Sequence, residues 1–173
     1  MRNFLELIRD SLTDVREIMP WDVARRRAAN PWLLIVDVRE PDEFATMHIP
    51  GSLNVPRGIL ESACDWEYEE TVPELVQARE REIVLVCRSG YRSVLAAHSM
   101  QVLGYTNVAS MQTGVRGWKD YEQPLVDKDG KPVMYVATGP VVKSEQVVEA
   151  VDPEGVKRCY QDYTQAQVDA AER

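Results

Sequence analysis

The sequence predicts an α/β domain built on a mainly parallel sheet. Two segments, residues 33–38, apolar but for Asp37, and residues 83–87, lack the alternation of a half-exposed strand and read as strands buried on both faces. Segments with helical spacing lie before, between and after them, bounded by proline and glycine. Short strands alternating with helices from residue 13 to residue 125 are the pattern of a parallel sheet flanked by helices, and such a sheet carries its site at the carboxyl ends of its strands.

In chain order, Phe4, Leu5, Ile8, Leu12 and Val15 recur at helical spacing and predict an amphipathic helix over residues 3–12. Residues 13–18 alternate polar and apolar, as an edge strand does. Pro20 suits the first turn of a helix reaching Ala29, which Pro31 closes. Residues 33–38 form the first central strand. A helical turn at 41–45, a short strand at 52–55 and a helix near 72–79 follow. Residues 83–87 give the second central strand, 92–103 a helix ended by Gly104, and 107–111 a final strand. Beyond Pro124, residues 127–132 are a turn cluster, and Asp152 with Pro153 is set to start a further helix. The expected organisation is an N-terminal helical arm at 1–12, a domain at 13–126 and a C-terminal extension at 127–173, too short for a second domain. Val133, Met134, Tyr135 and Val136, with Val141 and Val142, make that extension apolar enough to need a partner, and a homodimer is one expectation.

Composition narrows the function. Of 173 residues, 45% are hydrophobic and 28% charged, which suits a packed core and excludes disorder. Asp and Glu number 28 against 20 Lys and Arg, and the net charge of −8 excludes a broad basic face for nucleic acid. The apolar runs fall far short of the roughly 20 residues that cross a membrane. Glu6 and Asp10 interrupt the stretch that a secretory signal would need to be apolar, so a cytoplasmic protein is expected. Cys64, Cys87 and Cys159 are an odd set without Cys-x-x-Cys or Cys/His spacing, and neither a disulfide framework nor a metal site is predicted.

The chemistry is written in Cys87-Arg88-Ser89-Gly90-Tyr91-Arg92-Ser93, where a cysteine ends a buried strand and a glycine-containing loop leads into a helix. Backbone N–H groups in such a loop converge, and the helix start adds partial positive charge. That setting favours a thiolate at Cys87 and makes it nucleophilic. Arg88 and Arg92 offer fork-like donors to an oxyanion, and Gly90 permits a tight turn. A buried strand end alone would explain the cysteine as packing; two arginines, flanking serines and a glycine have no packing rationale.

These residues, with others, resemble the rhodanese family. Residues 34–40 (Leu-Ile-Val-Asp-Val-Arg-Glu), then Glu43 and Phe44, then 48–56 (His-Ile-Pro-Gly-Ser-Leu-Asn-Val-Pro), look like the family's amino-terminal signature. Residues 87–93 look like its active-site loop. Gly104-Tyr105 and 114–118 (Gly-Val-Arg-Gly-Trp), ahead of Pro124-Leu125, resemble its carboxyl-terminal pattern. The resemblance implies a rhodanese-like fold and a sulfurtransferase. The Cys87 thiolate would take sulfane sulfur from a small anionic donor, thiosulfate or a persulfide, hold it as a persulfide, and pass it to a thiophilic acceptor, including an acceptor protein. No cofactor is implied. Ser89, Gly90, Tyr91 and Ser93 would line the loop with the two arginines, while Asp37 and Arg39 would organise the strand ends and His48 would brace its turn. Arg88 resembles thiosulfate-using members, whereas Ser89 stands where the two-domain enzymes have Lys, so the donor stays open. A sulfur relay or a regulatory binding module is the alternative, and a cysteine phosphatase or arsenate reductase a further one. Four residues separate Cys87 from Arg92, one fewer than in the phosphatase loop. Cys159 is more simply a packing residue than a resolving thiol. His98 has no role in a persulfide relay. Trp21, Trp32, Trp66 and Trp118 are expected in packing, with Trp66 and Tyr68 the candidates for a pocket rim, and Glu67, Glu69 and Glu70 form a solvated face.

Overall fold

The computed structural model describes residues 2–133, and residues up to Val133 form one compact unit. The elements run α1 (Phe4–Leu12), β1 (Arg16–Ile18), α2 (Pro20–Ala29), β2 (Leu34–Asp37), α3 (Pro41–Thr46), β3 (Leu53–Asn54), a 3₁₀ turn (Arg57–Ile59), α4 (Leu60–Ala63), α5 (Pro73–Val76), β4 (Ile83–Val86), α6 (Tyr91–Val102), β5 (Val108–Met111) and α7 (Gly114–Asp120). The apolar stretch after Val133, the helix expected at Asp152, and Cys159 lie outside the described residues.

The five strands form one parallel sheet in the order β1-β5-β4-β2-β3. Every residue of β2, β4 and β5 is buried, which is why those segments lack the alternation of a half-exposed strand. β1 lies at an edge, as its alternation predicts, and only its Ile18 is buried. Alternate residues Leu34, Val36, Ile83, Leu85 and Val108 join one core with Val94, Ala97 and Met100 of α6. By the two-residue period, Ile35, Val84, Val86 and Met111 point to the other face. α2 packs on α7, and α1 on α6.

Local chemistry sets the helix ends. Asn3 and Glu6 form a reciprocal capping box at the start of α1, at 2.9 and 2.7 Å. Pro20, Pro41 and Pro73 each open a helix, where the missing N–H costs nothing. The helix expected over 72–79 stops at Val76. The Arg79 carbonyl accepts the Thr106 N–H at 3.0 Å, which draws the chain out of helical geometry. Trp21 and Trp118 are buried, whereas Trp32, Trp66 and Tyr68 are exposed, so Trp32 does not serve the core. Among the described residues no helix is long and apolar enough to cross a membrane, and no cluster of His, Cys, Asp or Glu is placed to hold a metal.

Candidate active site

Cys87 follows the last residue of β4 at the carboxyl end of the sheet and is 1% exposed. The chain turns through Arg88, Ser89 and Gly90, and Gly90 takes φ +103, a left-handed conformation open to glycine, before α6 begins at Tyr91. That turn brings the Gly90 N–H onto Cys87 Sγ at 3.1 Å. The Ser93 hydroxyl, one turn into α6, lies 3.5 Å from the same sulfur; it donates to the Gly90 carbonyl at 2.8 Å and meets Ser110 Oγ at 2.8 Å. Both serines are fully buried. As at any helix start, the first N–H groups of α6 have no intrahelical acceptor, so the sulfur sits at a positive backbone end.

The loop is fastened from two sides. α7 approaches so closely that a Cβ on Gly114, which has φ +59, would lie 2.6 Å from the Arg88 carbonyl carbon and closer still to the Cys87 oxygen. From there the Val115 N–H donates to the Cys87 carbonyl at 2.8 Å and the Arg116 N–H to the Arg88 carbonyl at 3.2 Å. On the other side Arg92 binds the Glu43 carboxylate of α3 through both outer nitrogens, at 2.8 and 2.9 Å. The Arg92 hydrogen bond, working against burial, holds the Glu43 carboxyl below its ordinary range. Arg92, expected to hold a donor, is thus already paired. Arg88 is exposed, and its side chain has no hydrogen-bond or ion-pair partner among the described residues. Ser89 is half-buried. Tyr91 meets Phe4 of α1 edge to face, ring centres 5.9 Å apart.

Asp37, Arg39 and His48 stand behind the loop rather than against the sulfur. Asp37 is fully buried and Arg39 5% exposed, and the Arg39 guanidinium grips both Asp37 oxygens, at 2.9 and 2.6 Å. The same guanidinium donates to the Met47 carbonyl at 2.7 Å, tying the end of α3 to β2. Asn54 adds bonds to the Asp37 and Arg39 carbonyls at 3.0 and 2.9 Å. His48 stacks on Phe44 and exchanges backbone hydrogen bonds with Val126 at 2.8 and 2.9 Å. Sequence reasoning missed Ser110, Glu43 as a partner of Arg92, and Gly114 as a loop contact; for Gly114 the signal was the closely spaced pair Gly114 and Gly117.

Beside the loop lies a cleft of about 320 Å³ between α3 and α7, with Arg88, Met47, Val115, Arg116 and Lys119 among its walls. Cys64, the other described thiol, is fully buried near Tyr105, and burial pushes its pKa up.

A family model described as the rhodanese-like domain matches residues 20–121. A sulfurtransferase of Allochromatium vinosum is 29% identical over 67% of this chain and 99% of its own. The human single-domain sulfurtransferase superposes with a TM-score of 0.52 at 30% identity, covering 61% of this chain and 96% of that one. A Rhodopseudomonas palustris protein of unknown function, described as a possible tyrosine phosphatase, superposes with a TM-score of 0.65 at 28% identity, over 72% of this chain and 94% of that one. With the five-stranded parallel sheet, the cysteine loop at its carboxyl edge and a match over more than half its length, the chain belongs to the rhodanese family.

Proposed function

We propose that this chain is a sulfurtransferase that carries sulfane sulfur as a persulfide on Cys87. The observation that carries the reading is the Gly90 N–H at 3.1 Å from Cys87 Sγ, in a loop with only four residues between Cys87 and Arg92. A hydrogen bond aimed at the sulfur favours an anionic sulfur over a neutral one. The burial of Cys87 favours a donor that presents one terminal atom, as a sulfane sulfur does, over a bulky phosphorylated side chain.

With thiosulfate as donor, the Cys87 thiolate attacks the sulfane sulfur, a new S–S bond forms, and the old one breaks with its electron pair leaving on sulfite. In the second step a nucleophilic acceptor attacks the outer sulfur of the persulfide. The Cys87–sulfur bond then breaks and its electron pair returns to Cys87 as thiolate. Charge is conserved in both steps and no cofactor is required. Arg88, exposed and without a side-chain partner among the described residues, offers its guanidinium to the anionic end of the donor. Ser93 gives its proton to the Gly90 carbonyl and its oxygen lies 3.5 Å from the sulfur and 2.8 Å from Ser110 Oγ, so the two serines brace the loop beside the sulfur.

The test is the intact mass of wild type and Cys87→Ser after exposure to thiosulfate, then to cyanide, with a p-nitrophenyl phosphate assay alongside. The proposal expects wild type alone to gain one sulfur atom and to lose it as thiocyanate. No gain from thiosulfate or from glutathione persulfide sinks it, and Cys87-dependent phosphate release would make the protein a phosphatase instead.

A further inference from the structure

We infer that Ser110 is a positioning residue that turns the Ser93 hydroxyl into a donor for Cys87 when the cysteine is a thiolate; this rests on the reading of Cys87 as the working sulfur. Ser110 lies in β5 and points to the α6 face of the sheet, where it meets Ser93. Its neighbours in register are Leu85 of β4 and, beyond it, Val36 of β2 and Leu53 of β3, with Glu17 of the edge strand β1 on the other side. Packing at a fully buried position in such a row calls for alanine or valine, and a hydroxyl there costs free energy unless it is hydrogen-bonded. The Ser110 hydroxyl is placed on two atoms, Ser93 Oγ at 2.8 Å and the Gly90 carbonyl at 3.5 Å, and both belong to the cradle of the sulfur.

The Ser93 hydroxyl has one proton to give and three polar neighbours: the Gly90 carbonyl at 2.8 Å, Ser110 Oγ at 2.8 Å and Cys87 Sγ at 3.5 Å. With that proton on the Gly90 carbonyl, the contact between the serines takes its proton from Ser110, and the remaining lone pair of Ser93 faces the sulfur. This arrangement suits a thiol, whose S–H donates to the oxygen, and opposes a thiolate. A turn about the Ser93 Cβ–Oγ bond, with no heavy atom moving, brings the proton onto the anionic sulfur instead. The Gly90 carbonyl is not stranded, because it keeps the Val94 N–H at 3.2 Å and the Ser110 hydroxyl stands 3.5 Å away. Ser110, still donating to the Ser93 oxygen, polarises the Ser93 O–H and strengthens its bond to sulfur. Neither hydroxyl gains or loses a proton. Cys87 is 1% exposed and both serines are fully buried, so bulk solvent does not reach in to replace these donors. Without Ser110 the Ser93 oxygen has a second free lone pair for the cysteine S–H, and the balance moves to the thiol. The thiolate occurs twice in the transfer cycle, as attacking group and as leaving group, and the serine pair serves both.

The test is the rate of iodoacetamide alkylation at Cys87 against pH in the full chain, read by peptide mapping, with thermal melting alongside. Wild type is compared with Ser110→Ala, Ser110→Thr and Ser110→Val. The threonine and valine variants fill the site alike and differ by one hydroxyl, so that pair separates hydrogen bonding from packing whatever either costs in stability. The charged groups around the site, the loop arginines Arg88 and Arg92, Glu43, the Asp37–Arg39 pair and Glu17, are the same in every variant. Loss of the hydroxyl is expected to move the midpoint of the alkylation profile up by at least about half a pH unit, which is about threefold slower alkylation and sulfur loading below the midpoint. Ser110→Thr is expected to lie nearer wild type than Ser110→Val. In a Ser93→Ala background Ser110→Ala adds no further shift, because Ser110 acts through Ser93. Equal midpoints in Ser110→Thr and Ser110→Val, or the same shift from Ser110→Ala with and without the Ser93 hydroxyl, overturns the assignment. The expected shifts with no sulfur loading from any donor would uphold the serine assignment and overturn the persulfide reading alone.

Discussion

Replacing Gly114 with alanine puts a methyl group into backbone that has no room for it. The added Cβ would stand 2.6 Å from the Arg88 carbonyl carbon and 2.7 Å from its oxygen, and these are main-chain atoms that no rotamer change can move aside. The residue also sits at φ +59, where an L side chain costs about 1–2 kcal/mol. Overpacking of this kind adds roughly 1–3 kcal/mol, and the stiffer unfolded chain of an alanine variant returns about 0.4–1 kcal/mol. The net expectation is a loss of about 2–4 kcal/mol, or roughly 6–12 °C in Tm for a chain of this size. Relief of the overlap displaces the Cys87–Arg88 peptide, and misplacement of about 1 Å in a reacting group costs on the order of 100-fold in rate. The assay is thermal melting together with the rate of sulfur loading at Cys87. Gly58→Ala is the control, because nothing lies within 4 Å of a Cβ there and its φ is ordinary. A Gly114→Ala protein melting within about 2 °C of the Gly58→Ala protein and loading sulfur at the wild-type rate would refute the argument that α7 fixes the loop by close approach.

Arg39→Met leaves the fully buried Asp37 carboxylate without its partner, and urea melts are expected to show a loss of about 3–5 kcal/mol, much of it recovered in Asp37→Asn/Arg39→Met. For Glu43, the Arg92 hydrogen bond holds the folded-state pKa below its ordinary 4.5, so its stabilisation is complete above that value and is lost as pH falls through the lowered one. Glu43→Gln is therefore expected to flatten the acid side of a Tm-against-pH profile, and an unchanged acid slope would count against the pair. Cys64, fully buried and with its thiol pushed up by burial, is expected to resist iodoacetamide in the native protein and to react once the chain is unfolded; peptide mapping reads this directly.

The strands were legible because burial on both faces leaves a simple mark, an apolar run without alternation, and β2, β4 and β5 carry it or nearly so. Helices opened by proline were legible for a similarly local reason. What escaped were short elements and tertiary decisions. The 3₁₀ turn at Arg57–Ile59 and α4 at Leu60–Ala63 are shorter than one period-finding window. α5 was overextended because Ala78 and Arg79 continue a helical composition, whereas Thr106, distant in sequence, takes the Arg79 carbonyl. α7 hid behind Gly114 and Gly117, which look like turn residues and are small because Cys87, Arg88 and Thr113 press against them.

The same division runs through the site, and it changes the role of one residue. The cysteine, the loop glycine and the helix start are consecutive, so the cradle is readable as a motif. The partner of Arg92 is Glu43, on a different helix, and no spacing rule connects the two. Read alone, Arg92 is a cation free for a substrate; read with Glu43, it is half of a two-point clamp joining α6 to α3, while the Val115 and Arg116 N–H groups join the front of the loop to α7. A guanidinium already neutralised by a carboxylate has little field left to attract a second anion. Under the proposed function, the work of holding the loop would fall to Arg92 and the work of meeting the donor to Arg88. Substituting Arg88 should then raise the KM for an anionic donor while leaving Tm within about 1–2 °C of wild type, because an exposed side chain without a partner among the described residues contributes little to stability. Substituting Arg92 should lower Tm and slow loading together, since loss of the clamp moves the loop that holds the sulfur. Identical donor KM values in wild type and Arg88→Gln would mean that the division is drawn in the wrong place.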